Sequence, residues 1–224
     1  MKVLHLNDHL KQAGGVETYL RSVVTKLAAS KFDIVVAHGN EGELEGTESV
    51  LLPVLSNPNV SVSDEAYRSL SEMIRQQGVE VAHIHNVFNA GAIEACLDHV
   101  PTVLHLHDYR YMCPSSNFYQ RRLGRRCGRT CGVACFGIGP LAGCQTPRPK
   151  AARGFYRRVR FVQRNASRFR AILANSNHVK ETFLRGSGGT GAVEVLHYFT
   201  GQLNPIGIHH LFQDGHSGLQ RRNL

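Results

Sequence analysis

The chain of 224 residues contains no tryptophan and carries no recognisable nucleic-acid-binding motif, which argues against a module built to read DNA or RNA. It has no run of eighteen apolar residues, so no segment reads as a membrane-spanning helix. Its start, Met1-Lys2-Val3-Leu4-His5-Leu6, meets Asn7, Asp8 and His9 at once and lacks a signal peptide's apolar core; a cytoplasmic location is the expectation. No pair of cysteines has the two-residue spacing of common zinc knuckles. The scarcest item is negative charge in the middle: from Tyr109 to Lys180 there is no Asp or Glu, while 16 of the 26 Lys and Arg residues fall there. A stretch so one-sided carries a positive potential toward phosphate, nucleic acid or anionic lipid, although any single basic helix is more often just a solvated face.

What is present suffices for a folded α/β protein. The composition is 42% hydrophobic, enough for a real core at this length. Six cysteines without an export signal read as reduced thiols or metal ligands rather than a disulfide framework.

Apolar runs at Lys2 to Asn7, Asp33 to Ala37, Val50 to Leu52, Val79 to His85, Pro101 to His107, Ala171 to Ala174 and Val193 to Leu196 read as strands, the early ones as buried and parallel. Between them lie helical spacings. Val16, Tyr19, Leu20, Val23, Val24 and Leu27 follow Gly14-Gly15; Ala66, Leu70, Met73 and Ile74 follow a cap at Ser63 or Asp64 and end at Gly78; Ala90 to Leu97 and Asn177 to Leu184 complete the set. Alternation of this kind predicts a Rossmann-like α/β fold, a parallel sheet with helices on both faces. One domain over residues 1–199 is expected, with a Cys- and Arg-rich insertion at about 109–149 and an atypical, poorly structured tail at 200–224. Ligands of such sheets bind beyond the carboxyl ends of the strands, which selects Asn7 to Glu17, His38-Gly39, His85-Asn86, His107-Asp108 and Asn175-Ser176.

Gly14-Gly15 sits between strand and helix, where bare backbone N–H groups and the helix N-terminus suit a diphosphate. A glycine pair there is as often only a tight turn, and the dinucleotide-binding glycine fingerprint is absent from it. His83, His85, His105 and His107 lie two apart in strands, so each pair shares a face. His83 and His105 read as core histidines with their hydrogen bonds satisfied; His107, followed by Asp108 at a strand end, reads as functional. Cys127, Cys131, Cys135 and Cys144 could hold zinc or an iron-sulfur cluster, with Cys113 upstream, or could be free thiols; Cys96 reads as core packing. Arg148 to Arg170 mixes nine basic residues with Phe155, Tyr156, Val159, Phe161, Val162 and Phe169. Such a helix can lie on an anionic membrane or cover the sheet with its apolar side, and the two roles are compatible.

Taken in order, Lys2 to Leu6 leading to Gly14-Gly15-Val16-Glu17, Val81 to Asn86, Thr102 to Tyr109 with Met112-Cys113-Pro114, and Ala174 to Val179 resemble the N-terminal, acceptor-side domain of family-four glycosyltransferases of the GT-B fold. The resemblance covers about residues 1–199. It implies retaining transfer of a sugar from a nucleotide diphosphate sugar to a glycan or lipid-linked acceptor, with no cofactor required for catalysis. By the same resemblance Gly14, Gly15 and Glu17 face the donor, His107 and Asp108 are catalytic, and His85, Asn86 and Ser176 line the acceptor side. Family members continue into a second domain with a Glu-x7-Glu pair and a Lys/Arg pair for the donor; here the pattern stops after Val193 to Phe199. The expectation is therefore an acceptor-side half that is inactive alone, with a truncated or frameshifted gene as the simplest account, a separately encoded donor domain as a candidate partner, and peripheral contact with the inner face of the membrane. The competing readings are a metal-containing nucleic-acid-binding module and a non-catalytic partner subunit of a glycosyltransferase.

Overall fold

The structure is a computed structural model that describes residues 1–11, 14–44 and 46–198. The expected tail at 200–224 lies outside the described residues. Strands β1 (Lys2–Asn7), β2 (Asp33–His38), β3 (Glu48–Leu51), β4 (Val81–Ile84), β5 (Thr102–Leu106), β8 (Ala171–Ala174) and β9 (Val193–Val195) form one sheet in the order β3-β2-β1-β4-β5-β8-β9, every pair parallel. A two-residue hairpin of β6 (Tyr119–Gln120) and β7 (Arg125–Arg126) stands apart from it. The order reverses after β3, so β1 and β4 are neighbours at the point where the topology switches direction, the usual place for a ligand crevice.

Helices α1 (Gly15–Ala29), α2 (Ser63–Gln77), α3 (Ala90–His99), α5 (Pro149–Arg164) and α6 (Asn177–Gly186) provide the crossovers and layers, and α4 (Ala134–Leu141) belongs to the insertion. Side chains two apart share a sheet face, and this alternation sorts the core. Leu4, Leu6, Val35, Ala37, Ala82, Ile84, Leu104 and Leu106 pack with α2 and α3 in the larger apolar cluster. Val3, Ile34 and Val36 pack under α1 with Tyr19, Leu20, Val23, Val24 and Leu27. Gly91 in α3 and Gly154 in α5 permit the closest approaches: a Cβ on Gly91 would overlap the Ser63 carbonyl, and one on Gly154 would overlap the Pro58 carbonyl.

The helix boundaries follow ordinary capping chemistry, with one correction. Asn89 accepts from Gly91 N–H at the start of α3, Ser176 accepts from Val179 N–H at the start of α6, Pro149 opens α5, and Gly78 ends α2 at φ 61°. Neither Ser63 nor Asp64 caps α2: the cap position is Val62, and Ser63 is the buried first residue of the helix. A second correction concerns β3, expected to be buried; it is the edge strand, and its side chains are half-buried or exposed. The region 109–149 is built of a hairpin, short helical turns and α4.

Candidate active site

Five histidines lie on the α1 face of the sheet: His5 from β1, His83 and His85 from β4 and its end, His105 and His107 from β5 and its end. All five are buried. Their rings stack across the strands, with centroids 4.0 Å apart for His105 and His107, 4.2 Å for His83 and His85 and 5.1 Å for His85 and His107. Tyr19 of α1 closes over them edge-on, 5.0 Å from His105 and 5.4 Å from His107. Strands that would ordinarily carry valine or isoleucine on this face carry imidazoles.

Three of the rings are joined in a row. His5 Nδ1 meets His85 Nε2 at 3.0 Å, His85 Nδ1 meets His107 Nε2 at 2.8 Å, and His107 Nδ1 meets the Tyr198 hydroxyl. Burial, with smaller contributions from neighbouring histidines, holds His5, His85, His105 and His107 well below the ordinary imidazole pKa and His83 at about 4. The rings are therefore neutral near pH 7, and a neutral imidazole has one N–H; the tautomer at one ring fixes the other two. His83 and His105 correct the expectation of satisfied core histidines: neither ring nitrogen of either residue has a hydrogen-bond partner.

Beside the row lies a charged group of which the sequence singled out only Asp108. Arg110 reaches Asp108 through Nε at 3.0 Å and Nη2 at 2.9 Å, and Asp8 through Nη1 at 3.1 Å. Asp8 directly follows β1 and Asp108 lies two residues past β5, so one guanidinium ties the turns after two strands together across β4. Burial raises the Asp8 carboxyl against the lowering influence of Arg110 and His9, and its Oδ1 has no partner. Behind Arg110, Arg158 of α5 is fully buried, donates Nη2–H to the Arg110 carbonyl at 2.7 Å, and stacks 5.1 Å from Phe88 and 5.3 Å from Phe155. Burial lowers its pKa to about 10.

The structure brings most of the expected residues to this edge. Gly14 is the N-cap of α1 and Gly15 its first residue, one turn before Tyr19, so the glycine turn lies on the same side of the sheet as the His107 ring. Nothing stands within 4 Å of where a Gly15 side chain would begin. Glu17 lies in the same first turn, with its Oε2 3.3 Å from where a Gly14 Cβ would sit, and it is an electrostatic neighbour of Tyr198. His85 is sealed within the row, and Asn86 is buried with its backbone N–H donating to Asn7 Oδ1 at 3.1 Å. Ser176 caps α6, while the adjacent Asn175 donates to the His107 carbonyl at 2.8 Å. Tyr198, Arg110 and Asp8 were missed; each lies in a loop, and only their places after β9, β5 and β1, all at the carboxyl edge, could have signalled them.

The insertion frames a cavity of about 700 Å³ next to this edge, lined by Tyr109, Phe118, Arg126, Arg129, His178 and Arg185 among others. The stretch Gly186-Ser187-Gly188-Gly189-Thr190-Gly191 has dinucleotide-type glycine spacing, but it leads from α6 into β9 at the opposite edge of the sheet, the wrong order for a phosphate turn.

A parallel seven-stranded sheet with helices on both faces is a Rossmann-like fold, the one shared with GT-B glycosyltransferase structures. The sequence model of Glycosyltransferase Family 4 matches residues 13–197, and the chain belongs to that family. Among solved structures, a glycosyltransferase from Rickettsia africae is similar with a TM-score of 0.53 at 12% identity, over 93% of this chain and 48% of its own. A sucrose-phosphate synthase from Thermosynechococcus elongatus gives 0.55 at 10% identity, over 89% of this chain and 48% of its own. A second, shorter chain of that synthase gives 0.54 at 9% identity, over 94% and 95%. The chain thus spans about half the length of the full glycosyltransferases it matches. No curated protein matches it in sequence.

Proposed function

We propose that the chain is the acceptor-side half of a retaining glycosyltransferase that moves a sugar from a nucleotide diphosphate sugar to a glycan or lipid-linked acceptor. One observation carries the reading: the α1 glycine turn, the His107 ring and the Asp8-Arg110-Asp108 group all lie at the carboxyl edge of the sheet. In this reading Gly14 and Gly15 offer backbone N–H groups to the donor diphosphate. His107 takes the sugar, with Asp108 held beside it by Arg110. Both nitrogens of His107 are engaged, so the residue reaches a substrate when the Tyr198 hydroxyl moves off Nδ1. His85 and Asn86, both buried, act as positioning residues, and Ser176 with Asn175 forms the rim.

The arginines of the neighbouring cavity favour an acceptor bearing phosphate. Leu123, Val133 and Leu141 stand exposed among the arginines of the insertion, which supports docking on an anionic membrane from the cytoplasmic side. The carboxylates and cations that hold most of the donor in this family are not among these residues, and transfer requires both reactants in one geometry. The isolated chain therefore has little or no turnover.

The test supplies a donor half: the chain is joined or mixed with that of a family-four enzyme, nucleotide sugars are offered, and the anomeric configuration of the product is read by NMR. Recovered transfer with retention is the expected result. His107→Ala then lowers kcat by roughly two orders of magnitude or more, as loss of a transition-state contact does. An unchanged rate in that variant overturns the role given to the histidine.

A further inference from the structure

Five of the six cysteines converge. Cys113 comes from the turn after β5, Cys127 from the strand end of the small hairpin, Cys131 from the loop beyond it, Cys135 from the first turn of α4 and Cys144 from the turn that follows α4. All five line one cavity of about 30 Å³, whose remaining walls include Met112, Pro114 and Phe118. That is roughly the space of one water molecule, too small for a multi-iron cluster and suited to a single ion. The backbone is fixed around it: Cys127 N–H donates to the Phe118 carbonyl at 2.6 Å, Cys113 N–H to Tyr109 at 2.8 Å, Cys135 N–H to Gly132 at 2.9 Å and Cys144 N–H to Gly139 at 3.0 Å.

The five sulfurs do not have equivalent places. Cys131 is buried, with Cys135 and Cys113 as its neighbours, whereas Cys113, Cys127, Cys135 and Cys144 are each partly exposed and Cys144 has the other three as neighbours. Charge points the same way. The segment from Tyr109 to Lys180 has no carboxylate, Arg129 lines the same cavity, and Arg160 donates to the Cys131 carbonyl at 3.4 Å. A centre of four thiolates around a divalent ion carries net negative charge and offsets those arginines.

We propose that Cys113, Cys127, Cys135 and Cys144 bind one structural zinc ion, with the buried Cys131 outside the ligand set. Four thiolates and no open position make a closed, non-catalytic site. The set differs from the one spacing suggests, because Cys113 replaces Cys131. In a Zn–S site the sulfurs stand about 3.8 Å apart, from the ~2.3 Å bond and tetrahedral angles. No three of these sulfurs lie within 4.8 Å of one another here, so binding draws the cysteines inward. The ion would tie the end of β5, the hairpin and α4 together, and with them the wall of the arginine-lined cavity. It rests on no assumption about sugar transfer.

The full 224-residue chain, purified under reducing conditions, is analysed for metal and thiols. About one zinc per chain is expected. The metal-free chain titrated with cobalt(II) should show the thiolate-to-cobalt charge-transfer band and the intense visible bands of a tetrahedral site. Alanine at Cys113, Cys127, Cys135 or Cys144 should remove stoichiometric metal. Cys131→Ala should keep one ion at saturation. The cobalt titration needs no substitution and so does not depend on any variant folding. Absence of metal with no tetrahedral cobalt spectrum, an iron chromophore, disulfides among these cysteines by mass spectrometry, or loss of metal in Cys131→Ala with retention in Cys113→Ala each overturns the proposal.

Discussion

Arg110 is the residue on which the edge depends most. It neutralises Asp8, which is almost wholly buried, and orients Asp108, which is partly exposed. Removing one member of a buried ion pair leaves the other charged and unsolvated, which costs about 3–5 kcal/mol. Arg110→Met should therefore lower the unfolding free energy obtained from urea titration by that amount, and Asp8→Asn in the same chain should recover part of the loss. A double-mutant cycle showing independent effects would refute the coupling. Asp108 and the edge position of Asp8 were legible beforehand, but their link through Arg110 was not. Asp8 and Arg110 are 102 positions apart in turns after β1 and β5, and no periodicity marks them; the parallel topology alone brings them together. The histidines were legible in part. Two-residue spacing gave the shared face of His83 with His85 and of His105 with His107, while His5, one strand over, entered only through the register that pairs it with His83.

At the scale of elements, the strands could be read because parallel strands buried on both faces are continuous apolar runs, and β8 at Ala171–Ala174 coincides with its run. The exception is β3: Val50-Leu51-Leu52 looks buried in sequence, but edge position leaves Leu51 about half exposed. The basic segment from Arg148 splits into α5 and a short turn at Ala166–Arg168, and α5 turns an apolar side inward with Val159 and Val162 fully buried. What the helical pattern could not reveal is how near α5 comes to the backbone of residues 58 and 59. Gly154→Ala forces these apart. A destabilisation of about 1–3 kcal/mol is expected from such overpacking, measurable as a lower urea midpoint. Gly15→Ala, where space is open, should leave stability within about 1 kcal/mol and serves as the control. Equal losses at the two positions would contradict the packing described.

Across the whole molecule, the imidazole layer makes stability depend on proton concentration. All five buried histidines have folded-state pKa values below that of the unfolded chain, because burial disfavours their charged forms. The unfolded chain then binds more protons in the window below about 6.5, so their contribution is complete above that pH and declines toward pH 4. Each group contributes a slope of up to about 1.4 kcal/mol per pH unit, and five acting together can exhaust the ~5–15 kcal/mol of a typical domain within two or three units. Urea midpoints measured from pH 7.5 to 5 should fall steeply below 6.5. His105→Leu, which replaces an imidazole without hydrogen-bond partners by an apolar side chain of similar size, should flatten the profile. An unaltered slope in that variant would remove the histidine layer as the cause.

The Tyr198 contact has one more implication. The phenol rests on His107, so Tyr198, the last described residue, lies against the candidate site. A partner tethered there would meet the cleft at an effective concentration in the millimolar range, as short linkers provide. Contacts far too weak to hold two separate molecules together would then be enough to close it.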